Sequence, residues 1–116
     1  MAVTNEFIEE CLTALGFLGV VQSKKMFGAA AFYSDELLFA CADDGVLWWK
    51  FDEESRFAFE EAGCTQMTYP TKDGPMPMKY FSSPVGLDSG ADQLRPWAEL
   101  ALASAARSGA KKKRKK

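Results

Sequence analysis

The sequence predicts a two-layer α+β domain built on an antiparallel sheet, and three observations lead to that fold class. The 116 residues are 47% hydrophobic and 13% aromatic, which is enough for one packed core. Near both ends of the chain, apolar residues recur at three- and four-residue steps, as in amphipathic helices. Between them the period changes to two, which is typical of strands. We therefore expect the order helix, three or four strands, helix, two strands and helix.

The first helix is predicted over residues 5–15. Thr4 or Asn5 can cap its start, because a side-chain oxygen there accepts hydrogen bonds from the free N–H groups of the first turn. One apolar face follows, and Gly16 suits the left-handed conformation that commonly ends a helix.

A meander of four strands is predicted next, near residues 21–27, 29–34, 37–42 and 46–51. The separators are Gly28, Ser34-Asp35-Glu36 and Asp43-Asp44-Gly45, and Asp-Gly between apolar runs is a strong hairpin signal. In the fourth strand, alternation places Trp48 and Lys50 on the face opposite Trp49. Strict alternation in the third strand places Leu38 with Ala40, and both of its faces are apolar. The second sheet face must then be covered by a helix, by the C-terminal segment or by another subunit.

The second half of the chain predicts a helix, a hairpin and a final helix. Asp52 can cap the second helix, which Gly63 ends. Strands near 66–70 and 76–81 follow, and their hairpin should lie at a sheet edge, because Pro75 and Pro77 lack N–H donors. Ser89 or Asp92 could cap the last helix, which is expected to end at Ser108-Gly109.

Several classes of chemistry lack their usual residues. The chain has no histidine, so Ser-His and Cys-His pairs and imidazole ligands are excluded. Cys11, Cys41 and Cys64 are widely spaced, which favours small buried side chains over disulfides or a zinc site. Acidic pairs such as Asp43-Asp44 and Glu60-Glu61 lie in turns or helices, where adjacent side chains point apart. We expect no enzyme activity, no metal and no cofactor.

The sequence also predicts a cytoplasmic protein. No apolar run approaches the roughly 20 residues that a membrane helix needs. The first residues lack the basic and apolar regions of a signal peptide.

The charge of the chain is divided between its body and its C-terminus. Six of the fourteen basic residues form Lys111-Lys112-Lys113-Arg114-Lys115-Lys116, which leaves eight against sixteen acidic residues in the body. We expect a domain over residues 1–108 and a disordered basic tail over 109–116. The candidate nucleic-acid contacts are Lys111, Lys112, Lys113, Arg114, Lys115 and Lys116, and a tail that only aids solubility is an equal alternative.

An ordered series of short motifs resembles one known family. The series begins with Lys25-Met26-Phe27-Gly28 and Phe39-Ala40, and continues through Leu47, Lys50, Asp52-Glu53, Phe59-Glu60-x-Ala62-Gly63, Thr68-Tyr69-Pro70, Met78-x-Tyr80, Pro84 and Trp97. From about residue 5 to residue 107 the chain is similar to the N-terminal domain of the TfoX/Sxy competence regulators. The resemblance implies a secretion-chaperone-like two-layer fold and a non-enzymatic regulatory role. Ala29 stands where the family often has a second glycine.

Two stretches are candidate interaction surfaces. Lys24, Lys25, Phe27 and Gly28 could hold an anion or a nucleic-acid strand, although a core position for Phe27 and a turn at Gly28 is the favoured alternative. On the second sheet face, Trp48, Lys50 and Tyr80 could form an aromatic–cation patch, or they could simply pack across strands or in a dimer interface. An enzymatic alternative would need a deep pocket lined by Lys25, Arg56 or Tyr69, with a strongly shifted pKa, and it is discarded if those side chains do not converge.

We therefore expect a regulatory module that binds a protein partner not yet identified, with weak nucleic-acid binding through the tail as the alternative. We also expect a homodimer, formed through the second sheet face around Leu38, Ala40, Trp48 and Lys50 or through an edge strand. The competing arrangement is a monomer whose last helix covers that face with Trp97 and Leu100.

Overall fold

The computed structural model describes residues 4–26, 28–43 and 45–114, without the side chains of Met26, Tyr69 and residues 109–114. The chain folds as the α+β domain that the sequence predicts. The helices are α1 (Asn5–Ala14), α2 (Arg56–Glu61) and α3 (Ala91–Arg114), with short 3₁₀ turns at Gly16–Leu18 and Leu87–Ser89. The strands are β1 (Gln22–Met26), β2 (Ala29–Ser34), β3 (Leu37–Asp43), β4 (Val46–Lys50), β5 (Gln66–Thr71) and β6 (Gly74–Ser82).

All six described strands form one antiparallel sheet in the order β1-β2-β3-β4-β6-β5. The β5–β6 hairpin lies at an edge, as predicted. Pro75 and Pro77 pair only with β5, because β4 pairs with β6 at residues 80–82 and leaves the first half of β6 uncovered. The missing N–H groups therefore cost no hydrogen bonds to β4.

A β-bulge in β3 corrects the predicted division of the sheet into two faces. Phe32 pairs with Ala40 and the next residue, Tyr33, pairs with Leu38, so Phe39 is an extra residue on β3. A bulge places two successive residues opposite one partner and interrupts the alternation. Both Phe39 and Ala40 are fully buried, and the Phe39 ring stacks on the Trp49 ring. Strict alternation predicts Ala40 on the second face. The bulge places it in the core instead.

One face of the sheet carries the core. α1 contacts β1 and β3, and α3 contacts β3 and β4. A series of ring contacts runs from Phe51 to Phe81, from Phe81 to Phe59 and from Phe59 to Trp97, with centroids 4.4, 5.5 and 5.3 Å apart. Trp97 and Leu100 therefore pack against the core, so the alternative in which the last helix covers the second face is wrong, while the oligomeric state stays a prediction.

Three helix ends differ from the sequence prediction. α1 ends at Ala14, and Gly19 rather than Gly16 has the positive φ, of 90°. α2 begins at Arg56, so Ser55 occupies its N-cap position, but the Ser55 side chain caps no N–H group of the helix. The predicted cap, Asp52, accepts from the Ser55 backbone N–H through Oδ1 and so caps the turn that leads into α2.

The last helix continues to Arg114, past the predicted end at Ser108-Gly109. Gly109 costs about 1 kcal/mol relative to alanine inside a helix, but Ala110 and the lysines are good helix formers. Cations also interact favourably with the C-terminal end of the helix dipole. The predicted disordered tail is therefore helical over 109–114, and Lys115 and Lys116 lie outside the described residues. The division into a domain and a tail stays a prediction.

Two phenylalanines on α2 give a direct test of the core. Phe59 is fully buried in the ring series, whereas Phe57 on the same helix is 69% exposed. We expect Phe59→Ala to lower the free energy of unfolding by about 3–5 kcal/mol, through lost burial and a residual cavity. Phe57→Ala should change it by about 0.5 kcal/mol or less. Urea denaturation followed by tryptophan fluorescence measures both, and equal effects would contradict this assignment of the core.

Candidate functional site

The second face of the sheet, called here the outer face, carries Tyr33, Leu38, Cys41, Trp48, Lys50 and Tyr80, all partly buried. The strand register places them together: Tyr33 pairs with Leu38, Cys41 with Trp48, and Lys50 with Tyr80. The residues that precede or follow them on the strands, such as Phe32 and Trp49, are buried on the core side. The outer face is thus aromatic and apolar, with one lysine.

Trp48, Lys50 and Tyr80 converge on the outer face, as the predicted aromatic–cation patch requires. The Lys50 Nζ atom lies 5.5 Å from the centroid of the Tyr80 ring, within the range of a cation–π interaction. The Trp48 Nε1 group donates a hydrogen bond to the Asp43 carbonyl oxygen over 3.3 Å. These contacts fix two of the largest side chains of the face. They describe packing across strands, and a binding role for these residues stays a prediction.

Burial favours the uncharged form of two ionisable groups of the outer face, Cys41 and Tyr80. Burial, together with a smaller contribution from the neighbouring Asp43 carboxylate, raises the pKa of the Cys41 thiol to about 12. Burial also raises the pKa of Tyr80 above its ordinary value. A thiol is a nucleophile only as the thiolate, so Cys41 is unsuited to covalent chemistry. The face is better suited to packing against another surface.

The other predicted stretch lies apart from this patch. Lys24 and Lys25 are exposed on β1, and strands β2 and β3 separate them from Trp48 on β4. Gly28 has a φ of 80°, a backbone conformation that glycine adopts more easily than other residues, as expected at a turn. Phe27 lies outside the described residues.

The pocket required by the enzymatic alternative does not form. Lys25 lies on β1 and Tyr69 on β5, and these are opposite edges of the sheet with four strands between them. The Arg56 guanidinium forms salt bridges with the carboxylates of Glu53 and Glu60, with N–O distances of 3.1 and 3.5 Å. Within the described residues, no group of three or more Cys, Asp or Glu side chains could hold a metal ion. None of the described helices is both long and apolar enough to cross a membrane.

A polar network that the sequence did not predict joins the end of β4 to α3. Arg107 on α3 donates to both carboxylate oxygens of Asp52, from Nε to Oδ2 at 2.5 Å and from Nη2 to Oδ1 at 2.9 Å. The Ser55 backbone N–H also donates to Asp52 Oδ1, at 3.1 Å. The buried hydroxyls of Ser55 and Ser104 lie 2.8 Å apart, and Ser104 donates to the Leu100 carbonyl oxygen. Two serines, one carboxylate and one guanidinium thus join α3 to the start of α2.

The same network has one exposed side. Glu54 lies 3.1 Å from Arg107 Nε, but its side chain is 73% exposed. A cavity of about 200 Å³ opens beside the pair, and Lys50, Lys79 and Arg107 contribute basic groups to it against three acidic ones. Since Arg107 is already bound by carboxylates, the cavity presents balanced charge. We assign the network a structural role.

No local signal in the sequence reveals this network. Asp52 reads as a helix cap, and Arg107 stands 55 residues away in the last turns before the basic tail. Only the packing of α3 against the sheet brings the two together. The nearest sequence clue is Ser104, a hydroxyl among the apolar residues of the last helix.

The family model described as the TfoX N-terminal domain matches residues 13–105 of the chain. A search of the curated proteins finds no match.

The Asp52–Arg107 pair predicts a specific dependence of stability on pH. The hydrogen bond from Arg107, with those from Ser55, holds the pKa of Asp52 well below its ordinary value of 3.8. The folded state therefore gains stability above about pH 4, and loses it as the pH falls from there towards the lower, folded-state pKa. We expect Asp52→Asn to lower the free energy of unfolding by roughly 2 kcal/mol at neutral pH and to flatten its dependence below pH 4.

Urea denaturation at a series of pH values measures this effect. The matched control is Glu54→Gln, which removes an exposed carboxylate beside the same arginine and should change stability by about 0.5 kcal/mol or less. An Asp52→Asn variant with the acid sensitivity of the wild type would contradict the assignment.

Proposed function

Because the chain belongs to the TfoX N-terminal domain family, we propose that it is a non-enzymatic regulatory module that acts by binding another protein surface. Membership supports a regulatory or competence-related role at the level of the family. The residue types present agree with a binding role, since histidine is absent and burial keeps the Cys41 thiol protonated.

The outer face is the observation that carries this proposal. α1 and α3 pack on the opposite, core-facing side of the sheet, which leaves Trp48, Tyr80 and Leu38 without a covering element among the described residues. A contiguous apolar face that carries a tryptophan and a tyrosine is typical of an interaction site. The lysine within it places one charge over an aromatic ring, where it can remain in an interface without leaving an isolated ion.

The partner that we propose for this face is a second copy of the chain. A two-fold axis presents the same patch from both subunits, so the aromatic residues of one face would pack on those of the other. The predicted interface is kept, with one correction: Cys41 takes the place of Ala40 beside Trp48, because the bulge in β3 turns Ala40 into the core.

Reversing the character of this face tests the proposal. We expect the wild-type chain to sediment as a dimer at high micromolar concentration and Trp48→Glu to sediment as a folded monomer. The helices lie on the other side of the sheet, so the substitution should leave the circular dichroism spectrum unchanged. Phe57→Glu, which places a carboxylate at an exposed aromatic position on α2, away from the outer face, is the control and should remain dimeric. A monomeric wild type contradicts the homodimer, and turnover of a small substrate by the purified chain contradicts a purely binding role.

Nucleic-acid binding through the tail is a second candidate, and the separation of charge favours it. The body carries sixteen acidic against eight basic residues, so attraction to a phosphate backbone has to come from the six basic residues of 111–116. The backbone of α3 continues to Arg114, which would hold the first four of these residues on one helix. Binding of this kind is independent of sequence and is weakened by salt.

Truncation after Ala110 tests the second candidate. The full chain should bind a fluorescent DNA duplex at low salt. A plot of log K against log salt concentration should have a slope no steeper than about −5, the value for six phosphate contacts. The truncated chain should not bind the duplex in the same fluorescence anisotropy titration. Equal binding by the two chains would place any nucleic-acid site on the body and contradict this candidate.

A further inference from the structure

We propose that the free edge of β1 binds an extended acidic segment of a partner protein as an added strand of the sheet. β1 is the first strand in the sheet order, and among the described strands it pairs with β2 alone, over five consecutive residues from Gln22 to Met26. Every second residue of such a strand directs its N–H and C=O groups away from the sheet. These are the groups to which an extended peptide adds when it lengthens a sheet.

The opposite edge of the sheet is unsuited to the same use. β5 contains Pro70, which has no N–H group, and its register with β6 shifts between Gln66 and Thr68. Proline and bulges are the devices by which proteins close an edge against further strands. β1 has neither: its sequence Gln-Ser-Lys-Lys-Met contains no proline, and its register with β2 is unbroken. Of the two edges, only β1 is regular enough to accept a strand.

The surface beside β1 also offers room for side chains. An open groove of about 740 Å³ lies beside the first three residues of the strand, Gln22 to Lys24. Its lining also includes Leu12 of α1, which packs against the core, and Tyr33 of the outer face, together with Val21 and Glu36. An added strand points its side chains alternately to the core side and to the outer side of the sheet. One set would lie near Leu12 and the other near the Tyr33 ring.

Charge selects the kind of strand. Lys24 and Lys25 are both exposed at the middle of the edge, and acidic residues opposite them would be attracted. Glu36 lines the groove on the turn that follows β2, close to the end of β1 at Gln22. The charge along the edge therefore changes from negative near Glu36 to positive at Lys24 and Lys25. The acidic residues of the added strand belong near the two lysines.

A second copy of β1 is a poor occupant of this edge. Antiparallel pairing of β1 with itself over its full length would place Lys24 of one copy opposite Lys24 of the other. Like charges directly opposite destabilise a strand pair. Lysines on an edge are a common defence against self-pairing, and the same charges attract an acidic strand.

This inference rests on the chain being a binding module but uses the edge of β1, whose groove shares Tyr33 with the outer face and does not include Trp48. The probe is a blocked, fluorescein-labelled peptide of about eight residues in which pairs of Val alternate with pairs of Glu, so that each face of the added strand carries both residue types. We expect it to bind the full chain in a fluorescence anisotropy titration, while the same peptide with Lys in place of Glu does not. Trp48→Glu should bind the acidic peptide like the wild type, even if the dimer proposal fails.

Charge reversal of the edge is the decisive variant. Lys24→Glu combined with Lys25→Glu should weaken binding of the acidic peptide by about tenfold or more and permit binding of the basic peptide. Lys72→Glu combined with Lys79→Glu changes two exposed lysines of the β5–β6 hairpin by the same net charge and should leave binding unchanged.

A second peptide separates strand addition from simple charge attraction. The acidic peptide with every backbone nitrogen methylated keeps its charge but donates no hydrogen bonds, and we expect it not to bind. Equal binding of the methylated peptide would overturn strand addition. Failure of the unmethylated peptide to bind would overturn the proposal itself. A change from dimer to monomer on reversing Lys24 and Lys25 would show instead that a second copy occupies this edge.

Discussion

The contact between the rings of Phe59 and Trp97 determines how the rest of the molecule is arranged. It belongs to the ring series that starts at Phe51 and Phe81, and it joins the sheet to α2 and α3 on one side. Aromatic rings of this size bury more surface than any other contact the chain can make, so this side of the sheet becomes the core. Once α3 lies there, Arg107 reaches Asp52, and the outer face is left to the side chains of its own strands. The polar network and the proposed dimer face are therefore two consequences of one packing choice.

Much of the fold followed from local rules of sequence, because the signals for strands and turns act over a few residues. The order of elements, the antiparallel meander and the edge position of the β5–β6 hairpin were all predicted and are confirmed. Local rules failed at the bulge, since an inserted residue in β3 can be recognised only against its partner strand. They also failed at Gly109, where helix-forming neighbours outweighed a residue that usually ends helices.

Candidate site residues were predictable only where they share a strand or adjacent strands. Trp48 and Lys50 could be grouped because alternation places both on the same face of β4. Tyr80 joins them because β6 pairs directly with β4, with Tyr80 opposite Lys50. The contact of Asp52 with Arg107 depends on the angle at which α3 crosses the sheet, and no spacing in the sequence encodes that angle. The free edge of β1 was equally hidden. A strand becomes an edge only through the pairing of all the others.

The surface charges of the chain gain meaning from this arrangement. The acidic residues of the body oppose binding to phosphate, and they also leave Lys24 and Lys25 as a local exception on an open strand edge. The first four basic residues of the tail, Lys111 to Arg114, lie beyond Arg107 on a helix whose direction the Asp52 contact fixes. Two basic regions with different geometry follow, and they suit different partners. A strand edge binds a backbone in a fixed register through hydrogen bonds, whereas a run of cations at a helix end attracts any polyanion and selects none. A partner that must be recognised specifically therefore fits the strand edge, and the tail can at most add affinity.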